Sequence, residues 1–398
     1  MPFQGFLAGP ISHLAACCRG FFLARWASRV ILETGTAALA VRNPRREQVR
    51  HLIYKLDPIS DPRWEEFVQR DPRTSVFHSR GWLQAILRTY EYTPVVFTTT
   101  PPDRPLENGA VFSIVKSWLI SPRLVSLPFS DHADPLMEIE GDLEELLKEL
   151  RNGQQDGRWK KVEFRPPADG RQHPGWTTFR DGQSFVLHHV DLRPGLDRVY
   201  SRFHHDSIQR KIRKAERSGV QQDVGRSERH LQQFFTLHAM TRRRKGLPPP
   251  PYSWFRNILD CLGEKAKIRV ASRDGRPIAA ILTLRFKETA VYKYGCTDDR
   301  YHNLGAMPFL LWAAMREEFH SGARDFDLGR SELDNPGLIH FKEKFGAEPA
   351  ELCYKIFPAE ASPTMDKNWR LTWARKLFGL LPDRALIHAG SLIYPHIG

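Results

Sequence analysis

The chain has 398 residues, of which 41% are hydrophobic, 26% charged and 11% aromatic. That length exceeds one ordinary domain, and that composition excludes a disordered chain, a collagen-like repeat and a polytopic membrane protein. Lysine and arginine number 59 against 46 acids, a formal charge of +13, and such a surplus suits an anionic partner. Cys17, Cys18, Cys261, Cys296 and Cys353 show no CxxC spacing and no histidine set beside them. They predict reduced thiols, no structural zinc and a reducing, cytoplasmic setting.

Residues 1–55 read as an extension outside the folded body. They hold arginines but no lysine before Lys55, their apolar residues have no period, and Pro2, Gly5, Gly9 and Pro10 interrupt the uncharged start. A first unit is predicted over 56–191. It has helices at 63–70, 82–90 and 138–151, the last with Leu143, Leu146, Leu147 and Leu150 at helical spacing. Its strands are 94–99, 109–116, 123–127, 161–165 and 182–191, the last closing the unit. A second unit is predicted over 192–358. A basic helix at 207–218 holds Arg210, Lys211, Arg213, Lys214 and Arg217 and ends at Gly219. Helices at 228–245, with the cluster Arg242–Lys245, and 252–262 flank a proline run. Strands follow at 267–272, 277–286 and 289–295, then a loop, a helix at 305–320, a strand at 324–328, a helix at 336–345 and a strand at 352–357. The fold class is α/β (α+β), with mixed, mostly antiparallel sheets flanked by helices. Residues 359–398 form an amphipathic tail. It is either a helical pair packed on the body or a basic helix resting on an anionic membrane surface at its inner face.

This order is neither Rossmann nor P-loop, and no GxGxxG or GxxxxGK[ST] occurs. The loop Arg300-Tyr301-His302-Asn303-Leu304-Gly305-Ala306 precedes a helix N-terminus, where free N–H groups and the helix dipole favour an anion. It is either a phosphate loop or an ordinary strand-to-helix turn.

The strand order and this loop resemble the GNAT acyltransferase fold, whose acyl-CoA loop reads [Q/R]-x-x-G-x-[G/A]. Here it is Arg300-x-x-Asn303-x-Gly305, with asparagine in place of the first glycine. Over roughly 57–357 the chain resembles the Fem-type aminoacyl transferases and FemAB-like proteins of envelope polysaccharide loci, built from two tandem GNAT units. The matching pieces are Phe77–Trp82, Leu124–Phe129 with Asp134-Pro135-Leu136, Ile212–Val220, Phe326–Arg330 and Gly337–Gly346, the last with its Phe341-Lys342 and Phe345-Gly346 pairs. No long heptad insertion for tRNA recognition is present.

The resemblance implies acyl or aminoacyl transfer onto an amine, or a hydroxyl, of a cell-envelope or polysaccharide precursor (a peptidoglycan or exopolysaccharide unit), by direct attack in a ternary complex. The donor is acyl-CoA or aminoacyl-tRNA, with no metal. It implies Lys342 as the cation at the tetrahedral oxyanion, and Tyr294 as a proton source for the leaving group. Arg300, Asn303, Gly305, Ala306 and Phe341 fall to the donor, and Asp134, Arg213, Arg242, Asp327 and Arg330 to the acceptor. Asp131-His132-Ala133-Asp134 reads as a substrate-contacting loop rather than a metal site. The alternatives are a non-catalytic module holding an anionic glycan or lipid precursor and, from charge alone, a nucleic-acid binder; no specific DNA partner is expected.

Overall fold

The computed structural model describes residues 52–117, 121–137, 140–167, 179–357 and 378–396. The predicted extension, up to residue 51, and the tail's first apolar segment lie outside the described residues.

Among the described residues, twelve strands form one sheet. The first stretch contributes β1 (Tyr54–Leu56), β2 (Thr93–Thr98), β3 (Ala110–Val115), β4 (Arg123–Val125) and β5 (Lys161–Phe164), with helices α1 (Pro62–Arg70), α2 (Arg80–Tyr90) and α3 (Glu140–Gln155). Then follow β6 (Arg180–Asp191), α4 (Leu196–Arg202), α5 (Arg210–Arg217), β7 (Gln221–Gly225), α6 (Glu228–Arg244), α7 (Tyr252–Leu262), β8 (Ala266–Arg273), β9 (Arg276–Phe286), β10 (Thr289–Thr297), α8 (Ala306–His320), β11 (Asp325–Glu332), α9 (Pro336–Glu343), β12 (Glu348–Phe357) and α10 (Asp383–Ile393). The sheet order is β1-β2-β3-β4-β5-β12-β6-β11-β10-β9-β8-β7. Only β4–β5 and β10–β11 pair in parallel.

The strand at 180–191, expected to close the first unit, instead lies between β12 and β11. β12 in turn pairs with both β5 and β6. The last strand of the body is therefore hydrogen-bonded to the first half of the chain. The short strands β1 and β7 and the helix α4 carry too few periodic residues to be read from sequence, and the loop before α8 is a 3-10 helix, Asp299–Leu304.

The helices follow their apolar spacing. The leucines of α3 bury against Phe97, Phe112, Val162 and Phe164. On the other face, α2 meets α7, with the Trp82 and Trp254 rings edge to face at 5.2 Å. Gly81 permits this approach, since a Cβ there would lie 2.6 Å from the Cys261 carbonyl oxygen. α8 lies across β8, β9 and β10 with Leu310, Leu311, Ala314 and Met315 fully buried. The tail's second segment packs on the body. Leu386 and Gly390 of α10 and the adjoining Tyr394 are buried, Tyr394 accepts from Arg242 at 3.0 Å, and Arg243 pairs with Asp383 at 2.9 Å. No helix among the described residues is long and apolar enough to cross a membrane.

Three buried histidines make the fold acid-sensitive. Burial lowers His78 and His188 to about 4 and His238 to about 3, from 6.5. These rings are neutral in the fold but protonate in the unfolded chain, so stability is fully present above 6.5. It falls as pH drops from 6.5 toward 4. His238 stacks on Phe234 with both ring nitrogens unpartnered. A His238→Phe variant keeps the stack and removes the orphaned nitrogens. Its thermal unfolding should show a shallower decline between pH 6.5 and 4 and a gain of about 1–3 kcal/mol at neutral pH. An unchanged acid limb would contradict this.

Candidate active site

β10 and β11 pair only from Thr289↔Asp325 to Val291↔Asp327 and then part. Each strand is irregular at the parting. β10 shifts register between Tyr292 and Tyr294, and β11 between Asp327 and Arg330. Gly329 sits in the second irregularity at φ 73°, a conformation glycine adopts without cost. A Cβ there would lie 3.3 Å from the Tyr292 carbonyl oxygen. Here the carbonyls of Gly329 and Arg330 accept from Lys342 Nζ, at 2.6 and 3.0 Å.

Lys342 reaches them because of how α9 is anchored. The Asn335 side chain caps the helix at Leu338 N–H, and Pro336 opens it. Phe341 stacks edge-on against the fully buried Phe345, which meets Phe203. With Phe341 turned toward Phe345 just past the helix end, Lys342 turns to the sheet and is the one buried residue of α9. Burial draws its ammonium down to about 8, although Asp131 and Asp327 oppose this.

The loop between β4 and α3 enters the same gap. Leu127, Phe129 and Leu136 all have positive φ, from 54° to 63°, a strained backbone for bulky side chains that survives only where its surroundings over-determine it. Here they do. Arg165, paired with Glu163 at 2.9 Å, donates to the carbonyls of Leu127 and Ser130. Tyr354 donates to the Asp131 carbonyl at 2.8 Å, and His78 Nε2 contacts that of Asp134 at 3.0 Å. So held, the Asp131 carboxylate meets Lys293 of β10 at 3.0 Å and faces Arg330 of β11 at 3.7 Å. Lys293 is buried over the Phe77 and Trp82 rings, and burial lowers its ammonium despite Asp131.

Behind this layer lies Asp327, fully buried. Its Oδ1 accepts the Gly329 N–H at 2.6 Å, its Oδ2 has no hydrogen-bond partner, and His132 Nε2 stands 3.7 Å from that oxygen. Burial alone would raise this carboxyl; His189 and His132 hold it well below the usual carboxylate range. Burial opposes the charged form of His189, but Asp327 and Asp325 raise it to about 9, and its Nδ1 lies 2.8 Å from Asp325.

Lys342, Asp327 and Arg330 thus meet at one place. Tyr294 stands at the β10 irregularity, its hydroxyl accepting from Trp254 at 2.9 Å and pushed up by burial. Asp134 lies in the strained loop, its carboxylate accepting the Leu136 N–H. The other candidates lie elsewhere. Arg300 is bound by both oxygens of Asp298, at 2.9 and 2.6 Å. Asn303 is exposed on the 3-10 turn. Gly305, at φ 76°, packs so closely on α5 that a Cβ would lie 2.4 Å from the Lys211 carbonyl oxygen, and Ala306 is buried beside it at the start of α8. Arg213 is exposed on α5 and contacts the Gln209 carbonyl and His205. Arg242 is engaged by the Pro248 carbonyl and Tyr394. Sequence reasoning missed Lys293, His189 and Arg165. The signal for Lys293 is a lysine inside an otherwise apolar strand. Arg300 also had a local signal, because Asp-x-Arg at 61–63, 71–73 and 191–193 makes the same two-pronged pair.

Removing Arg165 should release the loop. An Arg165→Ala variant leaves Glu163 to Lys161 alone, at 3.2 Å, and takes the donor from the Leu127 and Ser130 carbonyls, and denaturant unfolding should show a loss of about 1–3 kcal/mol. A loss under about 1 kcal/mol would show that the loop does not depend on this pair.

Residues 202–343 match the family model described as an acetyltransferase (GNAT) domain. The crystal structure of FemX superposes with a TM-score of 0.59 at 14% identity, over 75% of this chain and 96% of that one. A tandem GNAT protein from the clavulanic acid biosynthesis pathway superposes with a TM-score of 0.50 at 11% identity, over 78% of this chain and 99% of that one. Among curated proteins no match to the sequence is found. The matched GNAT domain holds the β10–β11 gap and Lys342, and the fold around it is similar to that of FemX and of the tandem GNAT protein.

Proposed function

We propose that the protein transfers an acyl or aminoacyl group from a phosphate-bearing donor to an amine of a cell-envelope or polysaccharide precursor, both bound at once. The observation that carries this reading is the buried Lys342 ammonium fixed in the β10–β11 gap by two carbonyls, 2.6 and 3.0 Å away. An ammonium has three N–H donors. Two are engaged, so the third and the charge itself remain for a developing oxyanion. Held in place before reaction, such a cation needs no reorganisation as the oxyanion forms. Tyr294, on β10 with its hydroxyl accepting from Trp254 at 2.9 Å, is read as lining the donor side of the gap.

The donor's phosphates suit the start of α8, which has no side-chain cap at Gly305. Arg300 is held by Asp298, so the cations nearest that helix end are those of α5, where Lys211 abuts Gly305 and Arg210, Arg213 and Lys214 are exposed. The acceptor lies toward the first half of the chain, where the 127–136 loop and Arg330 meet. The envelope precursor is favoured by the Fem-type fold. The donor is an acyl-CoA thioester or an aminoacyl-tRNA ester, and either presents a carbonyl and phosphates.

Lys342→Met tests the reading. With acyl-CoA or charged tRNA as donor and amine-bearing nucleotide-linked precursors as acceptors, turnover should fall about 100- to 1,000-fold while donor affinity changes little. Unchanged turnover would remove Lys342 from the chemistry, and binding of a precursor with no turnover in the wild type would favour a binding-only module. The charge on Lys342 is lost as pH rises through about 8. The wild-type rate at saturating substrates should therefore decline above that pH, and a rate still rising at pH 9.5 would contradict an ammonium at the oxyanion.

A further inference from the structure

We infer that His132, oriented by the buried Asp327, is the general base that takes the proton from the acceptor amine; this rests on the transfer reading above. Asp327 Oδ2 is a buried carboxylate oxygen without a hydrogen-bond partner. An orphan of that kind is costly unless a donor comes to it. The donor facing it is His132 Nε2, at 3.7 Å, a separation that catalytic pairs show before substrate tightens them. The exposures fit a dyad. The acid is sealed, at 1% of its side-chain surface, and the imidazole in front of it keeps 18%. Phe77 meets the imidazole edge-on at 5.7 Å and fixes its plane. With Nε2–H directed at Asp327, the lone pair sits on Nδ1, the nitrogen turned from the buried acid.

The groups around the imidazole make this placement specific. On its own loop stand Asp131 and Asp134. Lys293 lies on β10, Asp327 and Arg330 on β11, His189 on β6, Lys342 on α9 and His78 after α1. Asp131 is bound to Lys293, and Arg330 hydrogen-bonds Tyr354. His189 is paired with Asp325, and Lys342 is held by carbonyls. His78 uses both ring nitrogens, on Ser75 and on the Asp134 carbonyl. His188 on β6 has both ring nitrogens unpartnered but is fully buried, so among the described residues here His132 is the partly exposed base with a nitrogen left free.

The reaction then balances. The acceptor nitrogen's lone pair forms the C–N bond, and the carbonyl π pair moves to oxygen beside Lys342. His132 Nδ1 takes one proton from that nitrogen. The bond from carbon to the donor's sulfur or oxygen breaks, and the imidazolium returns the proton to the departing carrier. His132 touches the acceptor and is catalytic in this scheme, whereas Asp327 acts through it as a positioning residue.

The experiment labels histidine with 15N and reads the His132 tautomer, assigned with His132→Gln, in the full chain without substrate. The wild type should carry its proton on Nε2. Asp327→Asn keeps an oxygen for the Gly329 N–H and turns an amide N–H toward His132, so it should move the proton to Nδ1. With the same donors and acceptors as above, His132→Ala should lower kcat by about 100- to 10,000-fold, leave donor KM within a few-fold and be partly rescued by added imidazole, which a merely structural residue would not be. Two results overturn the inference: a wild-type proton on Nδ1, or His132→Ala turning over within about twofold of wild type. The tautomer is read without turnover, so it distinguishes failure of the dyad from failure of the transferase reading, which shows as a wild type that transfers nothing.

Discussion

The parting of β10 and β11 beyond Val291 and Asp327 is the constraint to which the rest of the site responds. Two parallel neighbours that separate leave backbone groups without partners, and buried carbonyls need donors. The protein meets that need with a lysine ammonium rather than with another strand. The gap therefore brings in a charge, and the charge brings in counter-charges. Asp327 lies on one strand of the gap, and Asp131 arrives from a loop more than 150 residues earlier in the chain and spans Lys293 and Arg330 on the two strands. A sheet that closed fully at this point would have no use for any of them.

Such a layer is a poor way to gain stability. Well-packed apolar side chains in place of buried ion pairs are often neutral or stabilising, whereas a pair with one member removed is strongly destabilising. The strained loop at Leu127, Phe129 and Leu136 adds further cost. Arg165, Glu163, Tyr354 and His78 are arranged to hold that loop in an unfavourable backbone. Strain and buried charge at one place, both anchored from outside, mark a site shaped for chemistry. The surrounding α3 and α2–α7 packing is ordinary and carries the stability.

Local signals in the sequence led to what lies within one element. The phenylalanines at 341 and 345 mark the apolar side of the α9 segment and so the opposite direction of Lys342, and the leucines of α3 declare their stripe. Asp131 and His132 were legible as a polar cluster in a turn-rich loop, but their partners Lys293 and Asp327 are set by tertiary folding and by two strand irregularities that no local pattern announces. Lys293 illustrates the difficulty. Between Tyr292 and Tyr294 it reads as one position of a strand, and only the register shift turns it into the buried layer. β6 misled for a related reason. Its sequence says strand, but its place between β11 and β12 is decided by the return of the final strand. The Arg300 pairing is legible locally, because the aspartate two residues before it holds the guanidinium at two points.

The charge surplus can now be placed. Around the gap Lys293, Arg330, Lys342 and His189, buried or partly buried, stand against Asp131, Asp327 and Asp325, close to balance. Among the described residues, exposed positive charge is concentrated on α5, whose Ile212 and Ala215 face inward while its arginines and lysines face solvent. That division suits acyl transfer between large anionic molecules. Phosphates are attracted and held by exposed, hydrated cations, where desolvation costs little. In the proposed transfer the reacting amine and carbonyl would enter a layer whose charges cancel apart from the one beside the forming oxyanion. A strongly positive interior would bind the anionic ground state as tightly as the transition state and gain nothing in rate; the near-neutral layer beneath a basic exterior avoids that.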